Sequence, residues 1–131
     1  MKVLFVCIGN SCRSQMAEGF ARAYGKDVWE ADSAGLMPAA IVVHPTRAVM
    51  EEKHISLKDH FPKSLAEVRL ADYDLVVNMS GEELPRIVKA PVRVWKIEDP
   101  IGKSEKVYRR VRDEIEQLVI ALAGEVRARR K

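Results

Sequence analysis

Residues 3 to 24 leave the chain little conformational freedom. Val3, Leu4, Phe5 and Val6 form an unbroken apolar run, the pattern of a strand covered on both faces. From Ser14 onward, Met16, Ala17, Phe20, Ala21 and Tyr24 recur at helical spacing, and Gly25 marks a stop. Between the two stands only "CIGNSCR", residues 7–13, short enough to form nothing but a tight loop. Strand, tight loop and helix in immediate succession predict the opening of a parallel sheet covered by helices.

The alternation continues. Val28–Ser33 reads as a second strand, "SAGLMPAA" as a loop, and "HPTRAVMEEKH" as a helix with Pro45 in its first turn. A short helix is expected over Ser64–Leu70, opened by a capping box of Ser64 and Glu67. Asp74–Met79 gives a third strand, Glu82–Val88 a short helix, and Val92–Ile97 a fourth strand. Val107, Val111, Ile115, Leu118, Val119 and Leu122 stripe a long amphipathic helix over Ser104–Arg127. The expectation is an α/β fold: a doubly wound four-stranded parallel sheet, helices on both faces, and one domain over residues 1–131. With 47% hydrophobic residues the chain can fill one core.

Charge and cysteine usage narrow the function. A net charge of +3, much of it in the closing "RARRK", is too small to predict nucleic-acid binding, and that tail reads as a solvated terminus. "MKVLFVCIG" runs straight into Gly9, Asn10 and Arg13, so it predicts a strand and not a signal peptide. No segment reads as a membrane span, and the expected location is cytoplasmic, with reduced thiols. Two cysteines make no disulfide framework. A zinc site would need two further ligands, and His44, His54 and His60 lack ligand spacing, so no metal is expected. His44 before Pro45 reads as a cap or loop contact, and Trp29 and Trp95 as core, with Trp95 able to brush the site. Neither a Walker pattern nor G-x-G-x-x-G occurs, and no cofactor is expected.

The loop itself carries chemistry. In open α/β sheets ligands bind beyond the carboxyl ends of the strands, where Cys7 stands. The backbone N–H groups of Ile8, Gly9, Asn10, Ser11, Cys12 and Arg13 can curl into a nest at the positive end of the following helix, suited to an oxyanion. Arg13 adds a planar fork that grips two oxygens. A thiol at such a position is expected to be acidified, which would make it a nucleophile toward phosphorus or arsenic. Asp99, in an Asp-Pro pair, reads either as a turn former or as a proton donor at the same sheet edge.

The spacing Cys7, five residues, Arg13, Ser14 resembles the phosphate loop of low-molecular-weight protein tyrosine phosphatases and of the thioredoxin-coupled arsenate reductases built on the same fold. "ADSAG" (31–35), "HPTRAVMEE" (44–52), "ADYDLVVNM" (71–79) and "IEDPIG" (97–102) follow in the order of that family's related segments. The resemblance implies Cys7 as nucleophile, Arg13 as oxyanion clamp and Ser14 as hydrogen-bond partner of the thiolate. It further implies Asn10 as holder of the loop and Asp99 as general acid. Cys12 is either a buried structural residue or, by the same resemblance, a redox partner that traps Cys7 in a reversible disulfide.

Two outcomes share the first step. Hydrolysis of a cysteinyl-phosphate makes a phosphomonoesterase, the first expectation; resolution of an arsenylated Cys7 by an external thiol makes an arsenate reductase. A third reading is an oxyanion-binding or redox-sensing module without turnover. The expected partners are a phosphorylated or oxyanion substrate and, for reduction, a small thiol, glutaredoxin or thioredoxin. The reductases that the chain resembles carry two further cysteines after the third strand, where "NMSGEELP" (78–85) has none. "RSQMAEGF" and "HPT" resemble the reductases more, and Ile101 and Gly102 stand where phosphotyrosine enzymes place aromatic walls. Leu36, Met37 and Ile41 offer no such wall either, so a small substrate fits better.

Overall fold

The computed structural model describes residues 1–130. Seven main elements run in the order β1 (Lys2–Cys7), α1 (Arg13–Tyr24), β2 (Glu30–Gly35), α2 (His44–Glu51), β3 (Leu75–Asn78), β4 (Val92–Val94) and α3 (Glu105–Arg129). The four strands form one all-parallel sheet in the order β2-β1-β3-β4. All four therefore end at one edge, which Cys7, Gly35, Asn78 and Val94 mark.

Side-chain alternation along β1 feeds two cores. Val3, Phe5 and Cys7 face α1, α2 and α3, together with Met16, Phe20, Met50, Ile115 and Val119. Leu4 and Val6 face the other side, beside Val76 of β3, where Leu65 and Tyr73 pack with them. The helices of that second face are single 3-10 turns at Leu65–Glu67 and Leu70–Asp72. The long α3 stripe falls as expected, with Val111, Ile115, Val119 and Leu122 buried. Among the described residues no helix is long and apolar enough to cross a membrane.

Several elements depart from expectation. β2 starts at Glu30, because Val28 and Trp29 turn back to bond the Gly25 carbonyl. The Trp29 indole N–H caps the Ala21 carbonyl at 2.9 Å. The helix expected over Ser64–Leu70 breaks at Val68, which is extended, although the Ser64 N–H still bonds the Glu67 carboxylate at 2.7 Å. No helix forms over Glu82–Val88. There the Asn78 amide donates to the Glu82 carbonyl at 2.8 Å, and the Glu82 N–H donates to Ser80 Oγ at 3.0 Å. Local side-chain bonds thus outcompete a helical start. β4 pairs over three residues only. The basic tail is helical to Arg129, with Arg127 bidentate on Asp27 at 2.8 and 2.9 Å; Lys131 lies outside the described residues.

Helix α2 ends at Glu51, short of the expected His54, in a Schellman motif: Ile55 N–H bonds the Met50 carbonyl and His54 N–H the Glu51 carbonyl. His54 takes a φ of 61°, where a β-carbon is strained. His54→Gly is expected to raise the unfolding free energy by about 1 kcal/mol. Urea titration of both proteins checks this; an unchanged or lower midpoint would contradict it.

Candidate active site

Residues 7–13 link the end of β1 to the start of α1, and the segment after β2 zips onto them. Leu36 N–H bonds the Cys7 carbonyl at 3.1 Å, Met37 that of Ile8 at 2.8 Å, and Ala39 that of Gly9 at 2.9 Å. Val43 N–H reaches the Ser11 carbonyl at 3.3 Å. With these loop carbonyls occupied from outside, the loop is held just before the N-terminal end of α1 with its N–H groups left for a ligand. That is the arrangement of an anion nest.

Two features hold the turn. Asn10 sits at a φ of 50°, a region an asparagine tolerates better than most residues. Its amide donates to Ser14 Oγ at 2.8 Å and Ser33 Oγ at 2.9 Å, and its carbonyl oxygen accepts from the Lys63 N–H at 3.0 Å. Gly35 passes so close that a β-carbon there would lie 2.7 Å from the Ile8 carbonyl oxygen and 2.9 Å from the Asn10 nitrogen. Only glycine fits.

Cys7 and Ser14, seven residues apart, meet at 2.9 Å between Sγ and Oγ, both buried. Arg13 is buried as well. Its Nη1 donates to the Met79 carbonyl at 2.7 Å and the Ile97 carbonyl at 3.1 Å. Its Nη2 lies 3.7 Å from the half-exposed Asp99 carboxylate, whose Oδ1 accepts the Ile101 N–H at 3.1 Å. The loop therefore presents a sulfur, a guanidinium and a carboxylate at one sheet edge. That combination can attack a tetrahedral oxyanion, hold its charge and supply a proton.

Cys12 occupies the N-cap position of α1 without a side-chain capping bond and is buried, and both cysteines are free thiols. Burial pushes the Cys12 thiol up to about 12. The Thr46 hydroxyl lies close enough to favour the thiolate slightly, but it has no aligned hydrogen bond of its own. A raised acid favours the folded state only while both states stay protonated, below the ordinary value near 9. Between about pH 9 and 12 the Cys12 contribution should fall by about 1.4 kcal/mol per pH unit. Cys12→Ala should therefore show a flatter loss of stability than wild type across that window in urea titrations; parallel curves would contradict the assignment.

The sequence reading missed a second tier. Ser33 Oγ donates to the buried Glu18 carboxylate at 2.6 Å, linking Glu18 through Ser33 and Asn10 to Ser14. Gln15 donates to the Asn10 carbonyl at 3.1 Å, and its amide oxygen lies 2.8 Å from His60 Nδ1. Burial lowers the His60 pKa, an effect that the neighbouring Glu18 partly opposes. The available signal was Glu18, a carboxylate four positions after Ser14 on the apolar side of α1. His44 is exposed at the start of α2, and Trp29 and Trp95 are core residues.

The model of the family "Low molecular weight phosphotyrosine protein phosphatase" matches residues 2–131. The chain belongs to that family. Among its relatives is the Synechocystis "Glutaredoxin arsenate reductase", 38% identical over 130 residues, covering 95% of this chain and 98% of the relative. A solved arsenate reductase in its phosphate-binding state superposes with a TM-score of 0.89 at 36% identity, covering 95% of this chain and 98% of the other. An arginine phosphatase mutant with a phosphorylated active-site serine superposes at 0.85 and 27% identity, covering 97% and 96%. The phosphatase-type fold is thus shared by reductases and phosphatases. The relatives' names weigh toward arsenate reduction, and so against hydrolysis as the first expectation.

Proposed function

We propose that this protein reduces arsenate to arsenite through a covalent Cys7 adduct resolved by a thiol from outside the chain. The observation that carries this reading is the loop itself: Cys7 paired with Ser14 beside Arg13 and Asp99, in a chain whose other thiol is held protonated. Arsenate enters the nest and Cys7 Sγ bonds to arsenic. One arsenate oxygen leaves as water after two protons are taken up, one of them from Asp99. A donor thiolate then bonds to Cys7 Sγ, the sulfur–arsenic bond breaks, and its electron pair stays on arsenic, reducing As(V) to As(III). A second donor thiolate attacks the donor sulfur of the mixed disulfide, freeing Cys7 and leaving a donor disulfide.

Three points support an external donor. The chain has only two cysteines. Cys12, with a pKa near 12, is a poor attacking thiol at neutral pH. Met79 and Ser80 stand where a further thiol would be expected, and no cysteine follows them. The small-substrate reading also fits the rim, where Met37, Ile41 and Ile101 are exposed and no aromatic residue falls in 36–43 or 99–103.

A second reading, hydrolysis of phosphomonoesters, draws on Asp99 beside Arg13, an acid placed to protonate a leaving oxygen and later activate water. A paired assay separates the two: an aryl phosphate alone, then arsenate with glutathione, glutaredoxin plus glutathione, or thioredoxin. Arsenite formation far exceeding phosphate release is expected. Phosphate release with no arsenite from any donor would overturn the reductase reading.

A further inference from the structure

A groove of about 900 Å³ runs beside the site, on the second face of the sheet between β4 and the loop 81–88. Its inner end is formed by Met79 and Ile97, the two residues whose carbonyls hold Arg13, so the groove abuts the reacting centre. Its floor includes Val92 and Val94, 45% and 60% exposed on an edge strand that pairs on one side only. Its mouth carries Arg86 and Lys96 together with Glu82 and Glu83. Among the described residues, none of these four side chains is engaged in an ion pair or hydrogen bond. Glu98 also lines the groove but is already paired with Lys103 and Arg110, so the groove offers two unengaged cations and two unengaged anions around an apolar strip, at the size of a small-molecule site. A tetrahedral oxyanion has neither the length nor the apolar surface to use it.

We infer that this groove seats the thiol donor, and that the donor is a short thiol peptide of the glutathione class. Such a peptide carries two carboxylates and one ammonium, and it spans about 10 Å when extended. Arg86 and Lys96 match its carboxylates, Glu82 or Glu83 its ammonium, and the Val92–Val94 strip its central stem. Seated so, its sulfur is delivered past Met79 and Ile97 toward Cys7 for the exchange described above. The assignment rests on the arsenate reductase reading and deepens it by naming the second substrate.

S-methylglutathione, which cannot react, isolates binding from chemistry. Titrated into the intact protein, it should shift the amide resonances of Val92, Val94 and Lys96 saturably. The charge-reversed double variant Arg86→Glu/Lys96→Glu should weaken that binding at least tenfold. In steady state the ratio of glutathione- to dithiothreitol-supported kcat/KM should fall at least tenfold in the same variant, since dithiothreitol is uncharged. An unchanged ratio, or shifts confined to other surfaces, would overturn the groove as donor site while leaving the reductase reading intact. So would arsenite formation that strictly requires a glutaredoxin, with no response to S-methylglutathione. Absence of arsenite with every thiol, dithiothreitol included, would overturn the reductase reading and the donor role with it.

Discussion

Cys7→Ser is expected to lower arsenite formation by at least about 10³-fold, because a serine hydroxyl in this loop has neither the nucleophilicity nor the redox chemistry of a thiolate. Ser14, 2.9 Å away, would still be in place, as would the Arg13 guanidinium and the loop N–H groups. Anion binding should therefore persist, and phosphate or arsenate titrated into the variant should still perturb the loop resonances. Loss of turnover with retained binding is the expected pair of results. Turnover within tenfold of wild type would remove the covalent step from the mechanism. A variant losing both would first be compared with wild type by circular dichroism, and a folded variant without anion affinity would contradict the nest.

Arg13→Lys carries the second large effect. The guanidinium already spends two N–H bonds on the Met79 and Ile97 carbonyls and still turns a further nitrogen toward Asp99, a fan that one planar group can sustain. A lysine ammonium, compact and on a flexible stem, cannot serve both carbonyls and clamp an oxyanion together. The expected loss is about 10²–10³-fold in kcat/KM for arsenate, the usual scale for removing preorganised charge stabilisation. Steady-state kinetics at saturating thiol checks it. A loss under threefold would mean that the guanidinium serves only to join the strand ends.

Much of this was legible in the chain. The apolar run at Val3–Val6 and the stripe on α1 needed only periodicity, and they placed the loop between them. Cys7 and Arg13 stood out as candidates because a thiol and a guanidinium flank a short polar loop at a strand's carboxyl end. Asp99 read equally as a turn former, and its bond from the Ile101 N–H shows that turn contact. The failures share another cause. At Glu82–Val88 the apolar spacing suggested a helix, but Pro85 breaks the helical ladder in mid-segment, and Asn78 and Ser80 offered the backbone nearer partners. Glu18 and Ser33 went unseen because their bond joins α1 to β2, a pairing created only when the sheet forms. His60 likewise meets Gln15 across 45 residues, beyond any local pattern.

One consequence follows from how Arg13 is anchored. β4 contributes only three paired residues to the sheet, so the guanidinium that bridges Met79 and Ile97 adds to the core packing of Trp95 and Ile97 in holding that margin at its carboxyl end. An anion drawn to the same cation tightens its position, and by reciprocity an opened margin weakens the anion. Hydrogen exchange at Trp95, whose amide bonds the Asn78 carbonyl at 3.0 Å, should therefore slow when phosphate occupies the loop. The sheet's free margin then works as a gauge of occupancy, legible at amides the anion never touches.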